Sequence, residues 1–300
     1  MLEKKRRQHY VWRHYLDPWT IEEKVFWMNR DGKICSSNPR NLAVGVDFYT
    51  YDKLRSDEIK FLREFFFYEP LTCNWIKIMN NVFEQKEAHS NVNISNNQDN
   101  QDEDFDILIN NNGEEIQTHF ENMGRKYLDM LWDEETDFWV DEQSKSEFTF
   151  YLMIQYFRTK RQQDKIFGQN ELFENENVRL NEIWKHMVIM LATNLVGTVV
   201  FGEEDWELIP LKNNTAIPFI TGDQPVINLY EKDKKLVFYY PIKPDFSILL
   251  KKKSDEYQPI VDEKDVFFYN DGIADSCGMM IFGNSEEIEN FISQNKRKSI

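Results

Sequence analysis

The chain has 300 residues, 41% hydrophobic and 15% aromatic, with 23 Phe, 13 Tyr and 8 Trp, enough apolar area for the core of one large domain or two modest ones. Its 36 Lys and Arg against 52 Asp and Glu give a formal net charge of -16, which repels polyanions at long range and excludes broad coating of nucleic acid, but not one small anion site. Three cysteines, Cys35, Cys73 and Cys277, are too few and too widely spaced for a disulfide framework or a four-ligand zinc site. No uninterrupted apolar run nears the roughly 18–20 residues of a membrane span, so the sequence predicts reduced thiols, no membrane partner and a cytoplasmic location.

In chain order, His9, Tyr10, Arg13, His14 and Tyr15 make a dense aromatic and basic arm near the N-terminus. Residues 24–36 place Asp31-Gly32 between two apolar runs, which predicts a β-hairpin. Residues 41–51 read as extended or loop. Ser56 is the predicted N-cap of a helix whose Ile59, Leu62, Phe65 and Phe66 recur at helical spacing, and a second helix is expected from Pro70 to Phe83. Residues 88–113 then change character: eight Asn lie between Asn91 and Asn112, and residues 90–115 hold seven acidic residues and no basic one. Such a segment buries too little apolar surface to offset its ordering entropy and reads as a mobile insertion; the alternative is a partner-binding strand through Phe105, Ile107, Leu108 and Ile109.

Three helices are predicted at 114–132, 146–166 and 180–200, the last nearly apolar from Met187 to Ala192 and so the expected central buried helix. After Gly202 the period becomes that of strands, at 206–211, 217–229, 236–242 and 246–252, as in an antiparallel meander. A short helix at 261–270, a strand at 278–283 and a terminal helix from Ser285 complete a single α+β domain over residues 1–300: a central helical bundle on a mostly antiparallel C-terminal sheet, with an N-terminal hairpin. The strand at 217–229 is broken by Thr221-Gly222-Asp223-Gln224-Pro225. Gly relaxes the backbone there and Pro stiffens the exit. Asp223 either satisfies the turn backbone or is a functional side chain held at a strand end.

These pieces resemble the bacterial domain-of-unknown-function family 4238 (DUF4238). The residues that carry the resemblance are His9-Tyr10-x-x-Arg13-x-Tyr15-Leu16, Asp47-Phe48-Tyr49-Thr50, Gln155-Tyr156-x-Arg158-Thr159, Pro218-Phe219-Ile220-Thr221-Gly222-Asp223-Gln224-Pro225-Val226 and Tyr240-Pro241-Ile242-Lys243-Pro244. Trp12 and Lys160 stand where that family usually has Pro; the first bears on how the arm bends and the second lets a helix continue past Arg158. The resemblance implies a fold and a motif set without a settled activity.

On one helix over 146–166, Gln155, Arg158, Thr159 and Gln162 fall at i, i+3, i+4 and i+7 and share a face, which is either a solvated stripe or the wall of a polar cavity. The resemblance favours the cavity. Arg13 and Arg158 then offer forked donors to a phosphate or carboxylate. Asp223 holds one of these guanidinium groups or binds a divalent metal ion, and His9 moves a proton near neutral pH; Tyr10, Gln155, Thr159 and Gln224 contact the substrate. The same residues also read as a buried Arg–Asp network that ties the arm to the sheet and needs no substrate. His14, His89, His119 and His186 have no partner spacing, and Lys251-Lys252-Lys253 and Lys296-Arg297-Lys298 read as surface patches.

No Gly-x-Ser-x-Gly elbow, Walker loop, Rossmann fingerprint or His-Glu-x-x-His motif is present. The leading expectation is a hydrolase acting on a nucleotide or nucleic-acid end, for which a toxin or phage-defence setting is suited. The rival is an interaction module whose arginine cluster is structural and whose insertion or exposed aromatics bind a protein partner.

Overall fold

The computed structural model describes residues 6–66, 74–81, 83–84, 99–169, 178–230, 235–254, 262–282 and 286–291, with the backbone alone for 99–110. The predicted Pro70 helix start, Cys73, residues 88–98 and Lys296-Arg297-Lys298 lie outside the described residues. The fold is α+β, and its three sheets are antiparallel. β1 (Arg7–His9) pairs with β4 (Val44–Val46). The hairpin is β2 (Val25–Asn29) and β3 (Ile34–Ser37), closed by Gly32 at φ +77°. It joins β10 (Met279–Phe282) from the other end of the chain, and β10 in turn pairs with β6 (Thr221–Gly222). The third sheet runs β5 (Trp206–Lys212), β9 (Phe246–Lys252), β8 (Val237–Lys243), β7 (Ile227–Asn228).

The helices are α1 (Ser56–Phe65), α2 (Asp99–Trp132), α3 (Glu142–Phe157), α4 (Lys160–Gln169), α5 (Leu180–Phe201) and α6 (Glu263–Ser276); residues 74–81, 83–84 and 286–291 are also helical. Alternation along β8 explains the central sheet. Phe238, Tyr240 and Ile242 enter one core with α3 and α5, whereas Val237 and Tyr239 enter a second core with Val266, Tyr269 and Ile273 of α6. Helices cover both faces, so the strand reads as unbroken apolar sequence. Tyr15 of the N-terminal arm stacks on Tyr240 at 4.9 Å. Its hydroxyl lies 2.6 Å from Thr221 Oγ1 and donates to the Pro241 carbonyl at 2.6 Å, bridging the second and third sheets.

Several boundaries differ from the sequence expectation. Ser56 is the first helical residue and not the cap; Glu58 accepts from the Arg55 N–H at 2.8 Å. The expected helix at 114–132 begins at Asp99, within the segment expected to be mobile or a strand. The buried Tyr127, Leu128 and Leu131 anchor its other end. The helix at 146–166 is two helices that break at Arg158-Thr159, so Lys160 begins a new helix and does not extend the old one. α3, buried without interruption from Tyr151 to Thr159 once its cap residues are included, is the central helix in place of α5, whose C-terminal Phe201 is exposed. By length and composition α5 is apolar enough to cross a membrane; half of that stretch is buried against the rest of the chain. The predicted 217–229 strand reduces to β6 and β7, which belong to different sheets. Lys251 is buried and bound to Glu207 at 2.6 Å, not a surface residue.

Two glycines of α2 permit close approach. A Cβ on Gly113 would sit 1.8 Å from the Tyr49 carbonyl oxygen, and one on Gly124 would sit 2.2 Å from the Tyr151 ring, which is fully buried. Gly124→Ala therefore overpacks the core and is expected to cost about 1–3 kcal/mol in urea unfolding, while Gly168→Ala, with nothing within 4 Å, stays at or slightly above wild type.

Candidate functional site

The bend between β6 and β7 is where the chain leaves one sheet and enters another. Gly222 is required there, since a Cβ would lie 2.3 Å from Cys277 Sγ and 2.6 Å from the Met279 carbonyl. Asp223 follows. Its N–H donates to Met279 O at 3.0 Å, and its Oδ1 accepts from the N–H groups of Gly278 at 2.8 Å and Met279 at 3.1 Å. The carboxylate thus satisfies the start of β10 and not its own turn. Oδ2 has no hydrogen-bond partner among the described residues. Burial raises the Asp223 carboxyl above the usual range, outweighing the two N–H groups and the charge of Arg161. Gln224 is wholly buried: its Nε2 donates to Tyr156 O at 2.9 Å and Val226 O at 2.8 Å, and its Oε1 accepts from Thr159 Oγ1.

These contacts hold the bend against the junction of α3 and α4 and open a pocket of about 610 Å³ lined by Tyr10, Lys160, Arg161, Gln162, Asp223 and Gln224, with Lys165 and Asp275 farther along. Burial and the Asp223 charge push the Tyr10 hydroxyl up to about 12. Arg161 donates to the Asp275 carbonyl at 3.0 Å, at the C-terminus of α6, where the helix dipole favours a cation. Lys160 pairs with Asp164 at 2.7 Å.

The other predicted residues lie elsewhere. Arg158 is 1% exposed; its Nη1 donates to Glu121 at 2.8 Å and its Nη2 to Gln155 at 2.6 Å. Burial opposes its charge, but Tyr49 and Glu121 hold it firmly protonated. His9 and the exposed Arg13 line a separate pocket of about 450 Å³ with His14, Glu121 and Arg125. The His9 Nδ1 donates to the Leu42 carbonyl at 3.1 Å. Burial lowers its pKa; the Leu42 contact opposes this, and the charges of Arg158 and Arg13 add to it. The expected constellation therefore divides. Asp223, Tyr10 and Gln224 share one pocket, His9 and Arg13 share another, and Gln155, Arg158 and Thr159 are packed between α3, α2 and the bend. Asp223 pairs with neither Arg13 nor Arg158. Among the described residues no three His, Cys, Asp or Glu side chains gather as a metal site.

Sequence reasoning missed Glu121, Arg161, Gly278 and Met279. Glu121 lies in a helix with no motif around it, and Gly278 meets Asp223 across a contact of 55 residues. Arg161 could have been found: once the helix breaks at Arg158-Thr159, position 161 and not 158 faces the bend.

The family model for proteins of unknown function DUF4238 matches residues 7–287. No curated protein and no solved structure matches the chain. The matching motifs carry the residues that hold this junction, Arg158, Thr159, Asp223 and Gln224 among them.

Arg158→Ala removes a buried guanidinium and with it the ion-pair partner of the partly buried Glu121, and is expected to cost about 3–5 kcal/mol in denaturant unfolding. The paired variant Arg158→Leu with Glu121→Leu is expected to lose less than the single one, because no orphaned charge remains.

Proposed function

The chain belongs to DUF4238, a family of unknown function, and we propose from its geometry that it is a hydrolase acting on a phosphate-bearing substrate, a nucleotide or nucleic-acid end, in the pocket between the β6–β7 bend and α4. The observation that carries this reading is Asp223: a carboxylate with one oxygen held by two backbone N–H groups and a pKa raised by burial, on a pocket that Lys160, Arg161 and Lys165 also line. A carboxylate whose proton affinity is raised by burial is a stronger base than a solvated one, which suits a general base. Its Oδ2 takes a proton from water as the water oxygen bonds to phosphorus and the bond from phosphorus to the leaving oxygen breaks, the leaving oxygen keeping the electron pair and taking a proton from solvent. Arg161 and Lys160, at the positive end of the α4 dipole, take up the charge of the phosphoryl oxygens. Tyr10, protonated up to about 12, donates a hydrogen bond to the same group or to the leaving oxygen. The net charge of -16 favours a small ligand or a chain end over a long polyanion.

The structural reading of the arginine cluster is favoured for Arg158 alone, by its ion pair with Glu121 and its hydrogen bond to Gln155. That role leaves the Asp223 pocket untouched.

Phosphate release from a panel of nucleoside mono-, di- and triphosphates and short oligonucleotides tests the proposal. Asp223→Asn is expected to lower turnover by about 10²–10⁴-fold and Arg161→Ala to raise KM, both with folding retained. Turnover that survives Asp223→Asn, or a panel that neither reacts nor binds, overturns it. Folding is checked through the sign of the linkage. The folded pKa of Asp223 lies above its unfolded value, so the stability it contributes is present below about pH 4 and is lost as pH rises through the folded pKa. Asp223→Asn should accordingly melt no lower than wild type at pH 7, and any advantage should vanish in acid.

A further inference from the structure

A third cavity, of about 310 Å³, lies on the far side of Arg158. Tyr49, Tyr51 and Trp184 bring aromatic rings to its lining, and Gln117, Arg158 and Lys160 are among its polar residues. Three of these side chains are at least nine-tenths buried and carry a polar atom without a hydrogen-bond partner: Gln117 Oε1 at 4% residue exposure, Trp184 Nε1 at 4% and Arg158 Nε at 1%. Buried polar atoms are almost always satisfied, so one acceptor and two donors left open on a single cavity point to an occupant. The buried charges around it are already matched, Arg158 by Glu121 and Lys185 by Glu182 at 3.0 Å. An anionic or cationic guest would therefore leave a charge unbalanced. An uncharged ring that has two flat faces for aromatic stacking, with both donors and acceptors on its edge, meets each requirement. The volume sits at the small end of ligand pockets, which suits one heterocycle.

We propose that this cavity binds an uncharged planar heterocycle of nucleobase type. The inference stands on the cavity's own walls and goes beyond the hydrolase reading. It also connects with that reading, because Lys160 lines both this cavity and the Asp223 pocket.

Binding of adenine, guanine, cytosine, uracil and their nucleosides, none of which carries phosphate, is measured by calorimetry and thermal shift. At least one is expected to bind wild type. Gln117→Leu and Trp184→Phe, which remove the open acceptor and the open N–H while keeping volume or ring, are each expected to weaken it at least tenfold. Gln117→Leu should not lower the melting temperature of the unliganded protein, since its open oxygen has no partner to lose. Trp184→Phe leaves a gap in the core beside Phe167 and is expected to lower it modestly, so binding to each variant is read against its own unliganded state. Asp223→Asn, which tests the hydrolase reading, is expected to keep nucleoside binding. The proposal is overturned if no base or nucleoside binds wild type, or if binding survives both substitutions, which would mean that water alone occupies the cavity.

Discussion

The carbonyl groups at the end of α3 set the constraint from which the rest of the site follows. A helix leaves its last carbonyls without partners, and α3 ends where its residues are wholly buried, out of reach of water. Gln224 supplies what is missing by donating to Tyr156 O while its own oxygen accepts from Thr159. One amide thereby satisfies the helix end, fixes the turn into α4 and holds the bend between two sheets. Asp223, next in the chain, is placed opposite Lys160 and Arg161 as a consequence. A buried amide is well suited to this, since it carries donors and an acceptor in one rigid plane and brings no charge that would need neutralising.

Arg158 shows the other side of the same economy. A guanidinium in the interior is tolerated only with its charge answered, and it meets Glu121 and Gln155 at hydrogen-bonding distance. The pair is also a partition. Arg158 lines the aromatic cavity and Glu121 lines the pocket of His9 and Arg13, with Tyr49 and Gln117 shared by both linings. Two recesses thus meet at one ion pair, and the residues that carry the family resemblance divide among these and the Asp223 pocket instead of meeting at one point.

The α+β class, the hairpin around Gly32 and the strands β5, β8 and β9 were legible in the sequence because period and turn chemistry are local signals. The position of Asp223 on a fixed bend was legible for the same reason. Its partners were not, because the N–H groups of Gly278 and Met279 come from a strand whose pairing is set by tertiary packing. The arginine stripe misled for a related cause. Helical spacing places Gln155, Arg158, Thr159 and Gln162 on one face only if the helix continues, and it stops where Gln224 and Thr159 offer the backbone another set of bonds. In α2 the helix anchored by Tyr127, Leu128 and Leu131 starts at Asp99, earlier than its apolar spacing marks.

The bridge made by Tyr15 carries a consequence for how the protein comes into being. Its hydroxyl meets Thr221 and the Pro241 carbonyl, 206 and 226 residues further along, and the hairpin that follows it pairs with β10 at the opposite end of the chain. During synthesis this arm is therefore made well before its partners, and its aromatic side chains wait for them. Contacts so distant in sequence slow folding and prolong the exposure of unpaired edges. The early acidic and asparagine-rich stretch, which emerges long before the central sheet, gives the nascent chain a strongly solvated section during that interval.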